Sequence, residues 1–446
     1  MGLRIALIFA RAELRRGTRI KHFMVPPYSL QILSALTPPQ HQVRIIDEYH
    51  RLADPNLQAD IIGIGVWTAA APRAYALAEQ YRARGIPVIL GGPHVTVQPR
   101  EALSHADAIV IGEAESVWEQ VLQDVEQNQL QAIYHGEPLS LAQSPAPDWS
   151  PIQHNDYIAQ VSMSTSRGCC RSCDFCYESC LPKPNYRQRP LEYVLKEFDE
   201  RPFPVIAFID NDLMIDRTYA KALLTALIPK KRFWLGMTSI STADDEELLD
   251  LMAASGCRTL FVGFESIQPE SLREVHKGCN RVENYLRNIT RIHDRDIMVN
   301  GSFVFGFDHD DEDVFDRTVQ FGIDARLETA TFTILTPYPG TALHQRLDAE
   351  GRIVDRDWGH YDTTRVVFRP AKMSADTLET GYFSAYKNFY SWSSIMQRCR
   401  RHEAGFGQRL LLNVAYKRVE PLYRFLNNPL PAGWLRSLFH WYARAW

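Results

Sequence analysis

Short apolar runs alternate with amphipathic stretches through the first 140 residues. The apolar runs are LRIALIFA, VRIID, ADIIGIGVW, PVILGG and ADAIVIG. Amphipathic stretches such as 72–85 and 115–127 are predicted to form helices between them. Strands that are apolar throughout are typical of a parallel sheet covered on both faces. Residues 1–140 are therefore predicted to form an α/β domain with a doubly wound, Rossmann-like sheet, which binds ligands beyond the carboxyl ends of its strands.

The same alternation resumes after residues 141–160, a proline-rich segment without periodicity that is predicted to be a linker. Residues 161–345 contain six further apolar segments, which are VSMSTS, PVIAFID, RFWLGMT, TLFVGFES, MVNGSFVFGF and ATFTILTP. Six strand–helix units predict a partial (β/α)6 barrel of the TIM type, with chemistry at its carboxyl-end face. Residues 346–446 form a third region, which is helical, aromatic and basic.

The composition of the 446-residue chain, 45% hydrophobic and 23% charged, is that of a soluble protein with two or three domains. No stretch approaches the ~20 apolar residues of a membrane span, and the N-terminus is predicted to be a strand rather than a signal peptide. Five of the eight cysteines lie between Cys169 and Cys180. This clustering favours a metal site in a reducing compartment, and we expect a cytoplasmic location.

Three of these cysteines, Cys169, Cys173 and Cys176, follow the first barrel strand with three and then two residues between them. Thiolates spaced in this way can each bind one iron of a cuboidal four-iron cluster, which leaves the fourth iron open to an amino acid that chelates it. A zinc site would add Cys180, but structural zinc usually takes two separated pairs of ligands. A CxxC redox pair would leave the other cysteines unexplained.

The spacing, with Phe175 directly before the last cysteine, resembles the radical S-adenosylmethionine superfamily. The resemblance implies that a 4Fe–4S cluster on the three cysteines reduces S-adenosylmethionine to methionine and a 5′-deoxyadenosyl radical, which abstracts a substrate hydrogen. Cys170 and Cys180 lie outside this motif. The remaining cysteines are predicted to be ordinary packing residues, and these are Cys257, Cys279 and Cys399.

Polar residues at the ends of two barrel strands are candidates for binding S-adenosylmethionine. Asp210 and Asp212 end the second strand, and Glu265 and Ser266 end the fourth. Such side chains can bind ribose hydroxyls and the methionine amine, as acidic residues hold ribose in other folds. The alternative is that they cap the helices that follow. No catalytic residue is identified from the sequence.

Loops after strands of the N-terminal sheet supply a second set of candidates for cofactor binding, namely Thr68, Gly91, Gly92, Thr96, Gly112 and Glu113. Glycines at strand ends admit close contact between the backbone and a bulky ligand. The GGPH and GEAE stretches, together with TPYPGT at 336–341, resemble the cobalamin-dependent radical enzymes. That resemblance covers roughly residues 1–345 and implies an N-terminal cobalamin-binding domain.

One departure concerns the Asp-x-His-x-x-Gly motif that supplies an axial histidine in methionine-synthase-type cobalamin domains. Asp47-Glu48-Tyr49-His50 has different spacing and no glycine, so His50 is predicted to be a surface residue. Cobalamin would then bind without histidine ligation. The alternative is a domain that binds nothing or binds the substrate.

The family includes hopanoid C-methylases and the anaerobic magnesium-protoporphyrin ester cyclase, and the resemblance implies a C-methyltransferase that uses a 5′-deoxyadenosyl radical and methylcobalamin. The alternatives are a radical cyclase or rearrangement enzyme, or a non-catalytic corrin- or cluster-binding sensor. The expected partners are a small-molecule substrate, either a lipid or a tetrapyrrole, and a flavodoxin, ferredoxin or reductase as electron donor. No nucleic acid is expected.

The charge of the chain is unevenly spread. The net charge is −4, yet residues 391–446 carry nine Lys or Arg against two Glu. Apolar positions in 407–426 and 434–446 recur at helical spacing, with Arg409 and Asn413 outside the apolar stripe. Basic helices with an aromatic face can lie on an anionic membrane. Residues 407–446 are thus predicted either to contact the inner membrane face peripherally or to pack on the barrel.

Overall fold

The computed structural model describes residues 2–13, 25–153, 157, 161–181, 186–201, 203–400, 406–407, 409–410 and 413–414. Most of the predicted membrane-contact segment, 407–446, therefore lies outside the described residues. Part of the predicted linker, 141–160, also lies outside them.

The first sheet has six parallel strands, in the order β2-β1-β3-β4-β5-β6. They are β1 (Arg4–Phe9), β2 (Gln42–Asp47), β3 (Ile61–Gly65), β4 (Val88–Gly91), β5 (Ala108–Gly112) and β6 (Ile133–Gly136). The five predicted strands are confirmed, and β6 is an addition because its sequence, IYHG, contains no continuous apolar run. The order reverses at β1, so a crevice is expected beyond the carboxyl ends of β1 and β3.

Helices cover both faces of this sheet, as continuous apolar strands require. They are α1 (Tyr28–Leu36), α2 (Ala71–Arg82), α3 (Pro93–Val97), α4 (Pro99–His105) and α5 (Trp118–Glu126). Two separate apolar cores result, one containing Ile64, Leu77 and Leu90 and the other containing Leu7 and Trp118. The doubly wound architecture is thereby confirmed.

The second half contains eight strands among its described residues, and six of them form a parallel sheet in the order β14-β13-β12-β11-β10-β7. The eight strands are β7 (Ser162–Met163), β8 (Ser166–Gly168), β9 (Tyr186–Gln188), β10 (Val205–Phe208), β11 (Phe233–Thr238), β12 (Cys257–Glu265), β13 (Met298–Phe305) and β14 (Thr329–Ile334). Spatial neighbours follow chain order and β7 is not hydrogen-bonded to β14, so this is the open, partial barrel that was predicted.

The barrel helices are α6 (Leu191–Glu200), α7 (Arg217–Leu227), α8 (Glu246–Ala254), α9 (Pro269–Glu274), α10 (Tyr285–His293), α11 (Val314–Asp324) and α12 (Ala342–Ala349). Local sequence sets several of their starts. Asp216, Asp245 and Thr341 are N-caps whose side chains accept hydrogen bonds from backbone N–H groups in the first turn of α7, α8 and α12.

Strands β8 and β9 form a separate antiparallel hairpin that the sequence patterns did not predict. Its strands, SRG and YRQ, are short and polar, and they carry no alternating apolar pattern. The hairpin matters because β8 ends at the residue before Cys169.

The C-terminal region is helical, with α13 (Ala375–Phe389) and α14 (Trp392–Arg400) packed on the barrel. Arg409 and Asn413 were predicted to lie off the apolar stripe, yet both side chains are buried. Arg409 donates to Glu328 at 3.0 Å, and Asn413 accepts from Arg398 at 2.9 Å. Specific polar partners, rather than apolar periodicity, therefore decide which residues here are buried. No helix among the described residues combines the length and the apolar character needed to cross a bilayer.

Candidate active site and cofactor loops

The cysteine loop begins where β8 ends, at the carboxyl-end face of the barrel. Cys173 is buried, Cys169 and Cys176 are partly buried, Cys170 is exposed, and none of them forms a disulfide. Burial raises the pKa of the three predicted ligand thiols, and that of Cys173 rises to about 11. Cys176 interacts electrostatically with both Cys169 and Cys173. Three reduced thiols of one short loop thus lie near one another.

This donor set fits a cluster better than a single ion. Structural zinc usually takes two separated pairs of ligands, whereas these three thiols belong to one loop. Thiolates that each bind a different iron of a cuboidal cluster stand farther apart than the ligands of one zinc ion. The loop therefore has the chemistry for a 4Fe–4S cluster, with one thiol for each of three irons.

Asp210 anchors the start of this loop. Its carboxylate accepts hydrogen bonds from the backbone N–H groups of Thr165 and Ser166 at 3.0 and 2.6 Å, and from both hydroxyls at 2.8 and 2.6 Å. Complete burial raises the pKa of Asp210 despite these bonds. The observed contacts give Asp210 a positioning role, and its predicted contact with S-adenosylmethionine remains a prediction.

Asp212 holds the loop at a second point. It accepts a hydrogen bond from Arg171, within the cysteine loop, at 2.9 Å and another from Thr238 at 2.9 Å. Arg171 also donates to Ser239 at 3.0 Å. The side chains predicted to bind the cofactor at the end of β10 are therefore engaged in fixing the cysteine loop to the barrel.

Glu265, at the end of β12, is linked to the cysteine loop by a largely buried lysine. Its Oε1 accepts a hydrogen bond from Lys277 Nζ at 3.0 Å. Burial acts to lower the pKa of Lys277, but Glu265 and Cys173 outweigh it and the pKa is raised. Glu265 has a φ of +63°, which is rare for a residue with a side chain and is typical of strained functional positions. Lys277 carried no sequence signal that singled it out.

Two neighbours complete this edge of the barrel. Ser266 is buried, and its hydroxyl accepts a hydrogen bond from the N–H of Gln268 at 3.0 Å, in the turn that leads into α9. Cys279 was predicted to be a packing residue like Cys257 and Cys399, which are both buried. It is instead partly exposed and interacts electrostatically with Cys173. Packing alone does not explain the position of Cys279. The turn after α9 brings this residue close to the cysteine loop.

The N-terminal candidates all lie at the carboxyl edge of the first sheet. Gly92 has a φ of +104°, and a Cβ there would lie 2.9 Å from the carbonyl oxygen of Val66. Gly112 has a φ of +89°, and a Cβ would lie 2.2 Å from the carbonyl oxygen of Gly136. Both glycines are thus required by the fold itself. Gly91 differs, because Val110 at 3.8 Å is the nearest obstacle to a Cβ.

The hydroxyl side chains of these loops are also engaged. Thr96 donates to the carbonyl of Gly92 and accepts from the N–H of Gly112, both at 3.0 Å, and so joins the loops after β4 and β5. Thr68 is buried, with its hydroxyl 3.3 Å from Nδ1 of His94. His50, predicted to be a surface residue, is instead largely buried, and its ring packs edge-on against Tyr157 at 4.5 Å.

Glu113 points away from its own sheet and towards the barrel. It accepts a hydrogen bond from Arg167 at 2.8 Å and two from Arg187, one of them at 3.1 Å. Neither arginine was identified as a partner from the sequence, since they are 54 and 74 residues away. Glu113 therefore joins the first sheet to the hairpin beside Cys169.

The loop carrying TPYPGT brings these parts together. The ring of Tyr338 packs edge-on against Tyr177, directly after the cysteine loop, at 5.7 Å. A Cβ at Gly340 would lie 3.1 Å from Val97 in α3 and 3.4 Å from the sulfur of Cys180. The loops of the first sheet, the cysteine loop and the loop after β14 thus meet at one place.

Family models match three parts of the chain. The Radical SAM superfamily matches residues 163–322, the B12 binding domain matches residues 29–122, and a domain of unknown function (DUF4070) matches residues 341–420. The first two matches cover the barrel and the first sheet, where the candidate sites lie.

Curated relatives are similar over most of the chain. The bacteriochlorophyllide d C-12(1)-methyltransferase of Chlorobaculum tepidum is 28% identical over 387 residues, 83% of this chain and 84% of that protein. The anaerobic magnesium-protoporphyrin IX monomethyl ester cyclase of Cereibacter sphaeroides is 25% identical over 397 residues, 80% of this chain and 64% of that protein.

Among solved structures, the radical S-adenosylmethionine methyltransferase TsrM from Kitasatospora setae, with cobalamin and a 4Fe–4S cluster bound, superposes with a TM-score of 0.64. The match covers 100% of both chains at 16% identity, so it establishes the fold. With this fold and both family models on one chain, the protein belongs to the radical S-adenosylmethionine enzymes that carry a cobalamin-binding domain, whose cofactors are a 4Fe–4S cluster, S-adenosylmethionine and cobalamin.

Proposed function

We propose that this enzyme is a C-methyltransferase whose small-molecule substrate is a tetrapyrrole. The observation that carries the proposal is the meeting of the cysteine loop with the loops of the first sheet around Tyr177, Tyr338 and Gly340. A methyl donor on one domain and a radical source on the other must reach the same substrate carbon. The tetrapyrrole class is taken from the bacteriochlorophyllide and protoporphyrin relatives.

We assign residues 1–140 to cobalamin, 141–160 to a linker, 161–345 to the radical core and 346–446 to a C-terminal region. Cys169, Cys173 and Cys176 would hold the cluster. When bound, the cofactors supply a reducing electron, a 5′-deoxyadenosyl radical and a methyl group, and the protein supplies binding, orientation and exclusion of water.

The Glu265–Lys277 pair suits the methionine part of S-adenosylmethionine, which carries one carboxylate and one amino group. Lys277 offers a cation for the carboxylate, and Glu265 offers an acceptor for the N–H groups of the amine. Both side chains are at most 14% exposed, so water screens these charges weakly. Asp212 and Ser266 remain proposed contacts, as do Thr68, Gly91, Gly92, Thr96, Gly112 and Glu113 for cobalamin.

We further propose a cytoplasmic location, in keeping with eight unpaired cysteines, and a flavodoxin, ferredoxin or reductase as electron donor. Peripheral membrane contact through 407–446 stays a prediction. Arg409 and Asn413, which pack on the barrel, support the structural interpretation for the start of that segment.

The test uses full-length, anaerobically reconstituted protein with reductant, a chlorophyllide- or protoporphyrin-type pigment and S-adenosylmethionine labelled with deuterium on its methyl group. Methyl transfer predicts a pigment whose mass rises by one labelled methyl group, together with 5′-deoxyadenosine. Cys173→Ser should form neither product. A pigment that is modified without the label would instead favour the radical cyclase, the alternative that the protoporphyrin relative supports.

A further inference from the structure

Two arginines face each other across the hairpin that leads into the cysteine loop. Arg167 in β8 and Arg187 in β9 are direct partners in the antiparallel register, and Arg167 is two residues before Cys169. Like charges directly opposite each other destabilise an antiparallel pair. Each strand has only three residues, so the hairpin has little other stabilisation of its own.

The compensating charges come from the other domain. Glu113, in the loop after β5, accepts hydrogen bonds from both arginines. Glu115, in the same loop, lies 2.7 Å from Arg167. The four charges sum to zero, and none of the four side chains is more than 30% exposed, so solvent screens them only in part.

We infer that Glu113, a residue of the cobalamin-binding domain, is a positioning residue that orders the cysteine loop of the barrel. Cluster assembly therefore depends on the docking of the cobalamin-binding domain against the barrel. The inference rests on the proposed function in one respect, since it takes Cys169, Cys173 and Cys176 as the cluster ligands. Without Glu113, Arg167 and Arg187 repel each other directly beside Cys169. The hairpin then opens and the first thiol loses its fixed position.

Gly112, the residue before Glu113, links the Glu113–arginine contacts to the loops proposed to bind cobalamin. Gly112 precedes Glu113 and is held by Thr96, which also bonds the loop after β4. A corrin bound at these loops would therefore stiffen the backbone that carries Glu113. Occupancy of the cobalamin site would favour the ordered cysteine loop, and the ordered loop would favour occupancy by the same factor.

The experiment measures amide hydrogen exchange of residues 166–169 and 186–188 in iron-free, full-length protein. Glu113→Gln should speed exchange about tenfold. This factor corresponds to a loss of roughly 1.4 kcal/mol in the free energy that keeps the hairpin closed. Adding Arg187→Gln to that variant removes the repelling partner and leaves Arg167 with Glu115, so exchange should return towards the wild-type rate. Glu119→Gln, at an exposed glutamate of α5, is the matched control and should change nothing.

Glu115→Gln provides a second test, because it leaves Glu113 with both arginines and should speed exchange less than Glu113→Gln does. After reconstitution with iron and sulfide, iron content should fall in Glu113→Gln and recover in the double variant. Unchanged exchange in Glu113→Gln, or faster exchange in the double variant than in the single one, would overturn the inference. Because exchange is read without iron, a failure of the cysteines to hold a cluster would refute the proposed function alone.

Discussion

Lys277 donates a hydrogen bond to Glu265 at 3.0 Å, and the same lysine interacts electrostatically with Cys173. The two partners approach because β12 ends in a bulge with Glu265 at positive φ, after which the chain passes through α9 and returns to the cysteine loop. Both side chains are largely withdrawn from water, so their charges would act on a charged ligand with little screening.

Replacing Lys277 with methionine should therefore weaken S-adenosylmethionine binding. The lost charged hydrogen bond predicts a roughly ten- to hundredfold rise in the dissociation constant, measured by anaerobic equilibrium dialysis on protein of matched iron content. Lys221→Met removes a lysine that pairs with Asp245 and Glu247 at the surface and should have no effect. Equal affinities for wild type and Lys277→Met would rule out the assigned role.

Serine at Cys169, Cys173 or Cys176 should abolish the visible absorbance of the cluster and the cleavage of S-adenosylmethionine. Each loss removes the only protein ligand of one iron. Cys170→Ser and Cys180→Ser should largely spare both properties. If Cys170→Ser proves as damaging as Cys173→Ser, the ligand assignment is wrong.

Asp210→Asn should loosen the start of the cysteine loop, because an amide cannot accept all the hydrogen bonds that Thr165 and Ser166 donate to the carboxylate. We expect a loss of about 1–3 kcal/mol in the free energy of unfolding of the iron-free protein, measured by chemical denaturation. Asp199→Asn breaks an exposed ion pair with Lys230 and is expected to change stability little. The same stability in both variants would argue against an anchoring role.

Gly91→Leu and Gly92→Leu should distinguish a loss of space for cobalamin from a loss of folding stability. Gly92 is needed by the backbone, so leucine there should lower the melting temperature of the cobalamin-free protein. Gly91 has room for a Cβ, so leucine there should leave folding intact and reduce cobalamin retention, read from the corrin absorbance after desalting. Iron content serves as the internal control. Full cobalamin retention in Gly91→Leu would place the corrin elsewhere.

Glu328 should contribute to stability in a pH-dependent way. Burial acts to raise its pKa, but His293, the N–H of Val299 and Arg409 outweigh this and lower it from 4.5 to about 2. Because the folded-state pKa is depressed, the contribution is present above about pH 4.5 and is lost as pH falls towards 2. Glu328→Gln should remove about 3 kcal/mol near neutral pH and flatten the acid limb of the unfolding curve. An unchanged acid limb in that variant would contradict this assignment.

The sequence alone determined the two parallel sheets, the cysteine loop and the loops at the carboxyl ends of the strands. These features depend on neighbours in the chain, because apolar periodicity defines a strand or a helix, and the spacing of Cys169, Cys173 and Cys176 is itself a local property. Strands without an apolar pattern escaped prediction for the same reason, as β6 and the β8–β9 hairpin show.

Only the tertiary structure decided what the polar side chains do. Asp210 bonds to Thr165 and Ser166 across 45 and 44 residues, and Glu113 reaches Arg187 across 74. Arg409 is buried because it donates a hydrogen bond to Glu328, a residue 81 positions earlier in the chain. A charge is stabilised by whichever partner the folded chain brings within a few ångströms. That distance follows from the packing of whole strands and helices and leaves no trace in the sequence around either residue.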